Sequence, residues 1–175
     1  MQYNPKIHHR RPIRLKGYDY SKEGAYFITI CCHDKECRFG KIVNYESYAD
    51  AQMELNEYGM IAYNEWVKLP ERFSNFDLDV FQIMPNHIHG IIILNNAFTN
   101  SETMNATIGV IVGAYKSLVV NACLKIYKSK NEIMGKFWQR NYYEHVIHDE
   151  QSYQTISNYI INNPAKWYDD KFNLK

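Results

Sequence analysis

His87-Ile88-His89 is the part of this chain whose spacing most directly suggests chemistry. Alternate side chains of an extended strand share a face, so both imidazoles point one way from a stiff backbone while Ile88 points into a core. Two imidazoles are half of a divalent-metal site; a catalytic centre usually takes at least one more protein ligand and keeps a position open for substrate. Tyr159 and Asn163 stand four residues apart in a segment of helical periodicity and neighbour each other on one surface. The Asn163 amide oxygen is a suitable hard ligand for Mg²⁺ or Mn²⁺, and the phenol beside it would face whatever the metal holds. Given a phosphodiester, the metal would polarise a non-bridging oxygen while the phenolate attacks in line and forms a covalent phosphotyrosine. Such a step keeps the phosphodiester energy and suits strand transfer better than hydrolysis. A phenol with its ordinary pKa near 10 needs a metal or a hydrogen-bonded water to act at neutral pH. A plainer reading uses the same residues: Ile156, Tyr159 and Asn163 form one stripe that can simply pack, Asn162-Asn163-Pro164 is a helix stop, and the histidines can face solvent from an edge strand. Spacing alone leaves both readings open.

The elements that must position these residues follow from periodicity. Ala25 to Cys32 is a continuous β-branched and aromatic run, the pattern of a central strand. Arg38 to Val43 and the alternating Ala51 to Asn56 flank a polar turn and predict a peripheral hairpin. From Glu57 to Leu69 the apolar positions Ile61, Ala62, Trp66 and Leu69 recur at helical spacing until Pro70. Asp77 to Met84 and His87 to Leu94 read as an antiparallel pair around Pro85-Asn86. The polar stretch Asn95 to Ala106 predicts a surface loop, and Thr107 can cap a helix carrying Ile108, Ile111, Val112, Tyr115, Leu118, Val119 and Ala122 on one face. Lys128 to Lys136 reads as a connector, Phe137 to Ile147 as a fourth core strand, and Asp149 as the start of a last helix ending at Pro164. The order β, hairpin, α, β, β, α, β, α predicts an α+β fold: a ferredoxin-like split βαβ, with an antiparallel sheet, helices packed on one face, and a C-terminal helix carrying the candidate phenol.

Composition narrows the classes. With 175 residues the chain is one domain's worth, expected as a basic arm over 1–24 and a single domain over 25–175. Its 20 basic and 19 acidic residues give no global cationic field, so nucleic-acid contact must come from local clusters. The four cysteines lack zinc-ribbon spacing and suit a reducing, cytoplasmic setting. No stretch reads as the ~20 apolar residues a membrane span requires, so no membrane association is expected. Fifteen tyrosines, eight phenylalanines and three tryptophans are the compositional excess, suited to stacking on bases.

Further candidates are less specific. Tyr115 is the rival phenol, but its neighbours Ile111, Leu118 and Val119 place it on an apolar stripe. Glu144 and His145 face opposite sides of the predicted fourth strand, so at most one can approach a metal directly; either can orient a ligand, or Glu144 can pair with Arg140 on the same strand face. Lys116, Lys125, Lys128, Lys130, Lys136 and Arg140 can track a DNA backbone or form a solvated face. The arm carries Arg10, Arg11 and Arg14, and its His8 and His9 have no partner at ligand spacing.

Three ordered motifs carry a family resemblance. Met84-Pro85-Asn86-His87-Ile88-His89-Gly90, Trp138-Gln139-Arg140-Asn141-Tyr142-Tyr143-Glu144-His145 and Tyr159-Ile160-Ile161-Asn162-Asn163-Pro164 resemble the REP-associated tyrosine transposases, bacterial relatives of the single-tyrosine, His-hydrophobic-His transposases (IS200-like) that act on single-stranded DNA. The resemblance spans roughly residues 20 to 168. It implies a ferredoxin-like endonuclease domain that binds a hairpin at a short palindromic repeat, cleaves one strand beside it and becomes linked to the 5′ phosphate, leaving a free 3′ hydroxyl. By position it implies His87 and His89 as the metal pair, Tyr159 as nucleophile and Asn163 as third ligand, with Mg²⁺ or Mn²⁺ as cofactor. The basic arm becomes a candidate for reading the foot of the hairpin, where arginine can contact guanine. A cytoplasmic bacterial protein, associated with the nucleoid when DNA-bound and either monomer or homodimer, is the matching expectation. Two other functions fit the same residues: a hairpin-binding protein that no longer cuts, and a metal-dependent phosphodiesterase that uses water.

Overall fold

The computed structural model describes residues 23–44, 50–95 and 106–173. Candidates Arg10, Arg11 and Arg14, the hairpin turn over 45–49 and the loop over 96–105 lie outside the described residues.

The expected element order is the observed one. Strands β1 (Gly24–Cys31), β4 (Phe76–Ile83), β5 (His87–Leu94) and β6 (Tyr143–Ile147) form an antiparallel sheet in the order β4-β5-β1-β6. Strands β2 (Gly40–Val43) and β3 (Gln52–Leu55) pair as a separate hairpin. With the hairpin set aside, the order is the split βαβ arrangement. Strands β1 and β5 are central, and their β-branched and aromatic runs bury residues on both sides of the sheet.

Helices α1 (Glu57–Val67) and α2 (Ile108–Ser129) cover one face. Asn56 caps α1 by accepting from the Tyr58 and Gly59 amides, and Thr107 caps α2 by accepting from Val110. Between sheet and helices, the Trp66 and Tyr115 rings meet edge to face at 5.1 Å, and the Tyr115 hydroxyl donates to the Ala62 carbonyl at 2.9 Å. A side chain at Gly90 would put its Cβ 2.5 Å from Trp66 Cζ2, so Ile88, Gly90 and Ile92 face the helices. His87, His89 and Ile91 therefore face the other side.

Helix α3 (Glu150–Ile161) lies on that other side, against β4 and β5, with Ser157 and Ile160 buried. Asp149 caps it by accepting from the Ser152 amide and hydroxyl. A 3₁₀ turn over Pro164–Asp169 follows, and the chain returns under the sheet to Phe172.

Two expectations need correction. The fourth strand is shorter than Phe137 to Ile147: only Tyr143–Ile147 pairs with β1, and Trp138 makes an isolated bridge to Cys32. The pairing of β1 jumps from Thr29–Tyr143 to the Cys32–Trp138 bridge, so residues 139–142 bulge out of the ladder opposite Ile30 and Cys31, with only the Gln139 amide donating to the Cys31 carbonyl at 2.9 Å. The Lys116 ammonium instead takes the Gln139 and Arg140 carbonyls, at 2.6 and 3.1 Å. Arg140 thus sits outside the strand, and alternation no longer places it on one face with Glu144. The second correction concerns α2, which by length and composition alone could cross a membrane. Its Ile108, Ile111, Val112, Tyr115, Val119 and Cys123 are buried against the sheet, which accounts for that apolar character.

Candidate metal and nucleophile site

β5 presents both imidazoles on the α3 side, and neither faces solvent: His87 is 0 % exposed and His89 1 %. Their ring centroids lie 4.4 Å apart. His87 Nδ1 is 2.8 Å from the Asn86 Oδ1. An amide oxygen only accepts, so Nδ1 carries the proton and Nε2 keeps its lone pair. That Nε2 is buried and has no hydrogen-bond partner. His89 Nδ1 lies 2.8 Å from Thr29 Oγ1, its cross-strand neighbour on β1, and His89 Nε2 lies 3.2 Å from the Tyr159 hydroxyl. Burial, with the Lys171 ammonium adding to it, pushes His87 down to about 3. Burial and the neighbouring His87 hold His89 well below the usual imidazole range. Both rings are neutral at pH 7, the form that ligates a metal.

α3 brings Tyr159 to this pair, and the helix end brings Asn163. Tyr159 is half-buried, its ring 5.2 Å from His89 and edge-on to Phe27 at 6.2 Å. Burial, reinforced by the Asp170 carboxylate, pushes the phenol up to about 12, so it is protonated at neutral pH. Asn163 is 1 % exposed; its Nδ2 donates to Asp170 Oδ2 at 2.9 Å, while its Oδ1 is buried without a hydrogen-bond partner. Two orphaned acceptors, His87 Nε2 and Asn163 Oδ1, in one buried site call for a missing donor or cation.

Asp170 was not expected from sequence. One oxygen of its carboxylate and one nitrogen from each histidine lie within 4.8 Å of one another, a spacing one ion can bridge. The donor chemistry, two neutral imidazoles with an anionic carboxylate and an amide oxygen, fits a divalent cation. A cleft of about 390 Å³ opens over the site, lined by Phe27, Thr29, His89 and Tyr159 and by the consecutive Asp169, Asp170 and Lys171. Thr29, Phe27, Asn86 and Phe172 are the other residues that sequence reasoning missed. Asn86 alone gave a signal, as the residue preceding His87 in a Pro-Asn-His turn.

The remaining candidates fall elsewhere. Tyr115 is fully buried on the opposite face, where burial holds its phenol well above the ordinary value. Lys116 is committed to the backbone carbonyls of the 139–140 segment. Arg140 is exposed. Glu144 is cross-strand to Ile28, on the helix-covered face, away from the imidazoles. His145 shares the imidazole face but is exposed on the outer strand β6, opposite Phe27, in a separate cleft with Gln151, Ser152, Thr155 and Ile156.

Residues 61–163 match the family model described as Transposase IS200 like. A Haemophilus influenzae protein designated uncharacterized is 42 % identical over 184 aligned residues, covering 97 % of this chain and 96 % of that one. A second Haemophilus influenzae protein, provisionally named a REP-associated tyrosine transposase, is 25 % identical over 149 residues, covering 85 % of this chain and 74 % of its own. A solved REP-associated tyrosine transposase bound to a REP hairpin shares the fold, with a TM-score of 0.57 at 19 % identity over 88 % of this chain and 74 % of that one. The family match takes in most of α1 and the whole of β4, β5, α2, β6 and α3, hence both histidines, Tyr159 and Asn163, and it spans more than half of the sequence: the chain belongs to the IS200-like transposase family.

Proposed function

We propose that the chain is a metal-dependent, single-stranded DNA endonuclease and strand transferase that cleaves beside DNA hairpins through a covalent 5′-phosphotyrosine on Tyr159. The observation that carries this reading is the Tyr159 hydroxyl 3.2 Å from His89 Nε2, beside the orphaned His87 Nε2 and Asn163 Oδ1. His87, His89 and Asn163 would hold the cation, Mg²⁺ or Mn²⁺. When bound it supplies charge that polarises the non-bridging oxygens of the scissile phosphate and favours phenolate formation nearby. Tyr159 Oη attacks phosphorus in line, a new P–O bond to tyrosine forms, and the P–O3′ bond breaks. The phenol proton passes to solvent and the departing 3′ oxygen takes one up, leaving a free 3′ hydroxyl; return of that hydroxyl, or of another, reverses the step. Lys171 at the rim of the cleft supplies positive charge where the DNA backbone enters. The solved relative held on a REP hairpin supports hairpin DNA as the partner.

The test is an adduct assay on hairpin oligonucleotides carrying single-stranded flanks. A protein-DNA species that survives denaturing electrophoresis is expected with Mn²⁺ or Mg²⁺, is lost with chelator, and is absent from Tyr159→Phe. Tyr115→Phe, if it folds, keeps the adduct. Retention of the adduct in Tyr159→Phe with loss in Tyr115→Phe would reverse the assignment. Hairpin binding with no adduct under any metal would identify a binder that does not cut, and turnover that survives Tyr159→Phe would identify hydrolysis by water.

A further inference from the structure

The segment after α3 returns to the metal site, and one side chain seats it. Asn86 is 1 % exposed and forms three hydrogen bonds through its amide. Its oxygen accepts from His87 Nδ1 at 2.8 Å, and its Nδ2 donates to the carbonyls of Lys35 at 2.9 Å and Phe172 at 2.8 Å. The backbone of Asn86 is fixed as well, since its carbonyl accepts from the Cys32 amide at 2.8 Å. Phe172 lies 4.6 Å from the His87 ring, and its amide donates to Asp170 Oδ1 at 2.7 Å. Asn86 thus joins the turn before β5 to the residue that holds the Asp170 carboxylate, and the same amide sets which His87 nitrogen is free. An amide side chain suits this post because only it offers an acceptor to an imidazole N–H and two donors to carbonyls at once. An oxygen of the carboxylate it positions lies within 4.8 Å of a nitrogen of each imidazole, a spacing one ion can bridge, in a site whose buried His87 Nε2 and Asn163 Oδ1 lack partners.

We infer that Asp170 is an anionic ligand of the same cation and that Asn86 is the positioning residue that couples it to His87. This rests on the metal-dependent reading above and adds a fourth protein donor, from the C-terminal segment, to His87, His89 and Asn163. Replacing Asn86 by aspartate keeps the acceptor for His87 Nδ1–H but sets a carboxylate oxygen against the two carbonyls, so it releases the 170–172 segment while leaving the His87 tautomer fixed. Asp170→Asn removes the anionic donor with little change of shape.

Mn²⁺ titration calorimetry on the full chain, without DNA, tests the inference apart from activity. Relative to the unsubstituted protein, Asn86→Asp is expected to weaken Mn²⁺ by about 10- to 100-fold, the range seen when supporting partners of metal ligands are removed, and Asp170→Asn, which takes away the anionic donor itself, by at least as much. The double variant should be no weaker than Asp170→Asn alone, because Asn86→Asp acts through a ligand already lost. Amide exchange at Asn173, whose N–H donates to the main-chain carbonyl of residue 170 at 3.0 Å, should rise in Asn86→Asp and stay slow in Asp170→Ala if Asn86 anchors the segment directly. Mn²⁺ affinity unchanged in Asp170→Asn, or losses that add in full in the double variant, would overturn the inference and leave the nucleophile assignment standing. Absence of Mn²⁺ binding by the unsubstituted chain, with and without hairpin DNA, would overturn both.

Discussion

The hydrogen bond between the Tyr159 hydroxyl and His89 Nε2 uses the nitrogen that an ion would take, so metal binding and this contact exclude each other. Cation entry should free the phenol for a phosphate at the same moment that it places positive charge nearby. The two imidazoles also make stability depend on pH. The folded-state pKa of His87 is lowered to about 3 and that of His89 is lowered too, whereas both return to about 6.5 on unfolding. The unfolded chain therefore binds more protons between these limits, and the stability contributed above pH 6.5 is lost as pH falls toward 3. The thermal midpoint of the metal-free protein should drop steadily across that window, and His89→Gln, where it folds, should show a shallower drop; identical slopes would mean that other groups control acid unfolding. At this scale the sequence revealed what local geometry sets: a strand's period of two aligns His87 with His89, and a helix's four-residue step aligns Tyr159 with Asn163. Asp170, Thr29 and Asn86 acquire their roles only when distant segments meet, as in the Asn86 bond to Phe172 across 86 positions, and no spacing rule shows that.

Besides the Tyr159–His89 contact, α3 is held to the sheet by packing and by a polar tie nearer its start: the Tyr153 hydroxyl donates to Asp79 Oδ2 at 2.6 Å, where the β4 register shifts between Leu78 and Phe81. The other Asp79 oxygen accepts from the Val80 amide at 2.7 Å, so the shift in register aims the carboxylate at the helix. Tyr153→Phe should cost about 0.5–1.5 kcal/mol, the net worth of one such bond at a partly exposed site. Faster amide exchange in α3 and slower adduct formation, with Mn²⁺ affinity retained, would locate the effect in helix docking; unchanged exchange would show that Ile160 and its neighbours suffice. On the opposite face, Gly90→Ala forces a methyl against Trp66 and should destabilise the fold by roughly 1–3 kcal/mol, as overpacking does, read as a lower denaturant midpoint. The elements themselves were legible because the apolar periods switch cleanly between two and 3.6 along the chain. The first half of the predicted fourth strand failed for a tertiary reason: Phe137, Trp138 and Tyr142 have strand propensity, but four residues, 139–142, stand opposite Ile30 and Cys31 of β1 and bulge from the ladder, and the Lys116 ammonium takes the Gln139 and Arg140 carbonyls.

For the molecule as a whole, the arrangement bears on which chain would supply the proposed nucleophile. Thr29 from β1, the histidines from β5, Tyr159 from α3 and Asp170 from the returning segment meet within one chain. Only His148 and Asp149 join the end of β6 to α3, and two residues reach no more than about 7 Å, so the start of the helix stays beside its own sheet. A swing of α3 to a second molecule would have to expose Ile160 and break the Tyr153–Asp79 and Tyr159–His89 contacts. The site should therefore act in cis. Tyr159→Phe lacks the proposed nucleophile and His89→Ala a proposed metal ligand, so each is expected to form no adduct alone. If every site is built from one chain, a mixture of the two variants stays inactive at any ratio and concentration. If helices are exchanged between two copies, the mixture contains sites with an intact tyrosine from one variant and intact histidines from the other, and adduct returns on the His89→Ala polypeptide. Tagging the variants to different sizes shows which polypeptide carries the DNA, and recovery of adduct on the one that keeps Tyr159 would refute action in cis.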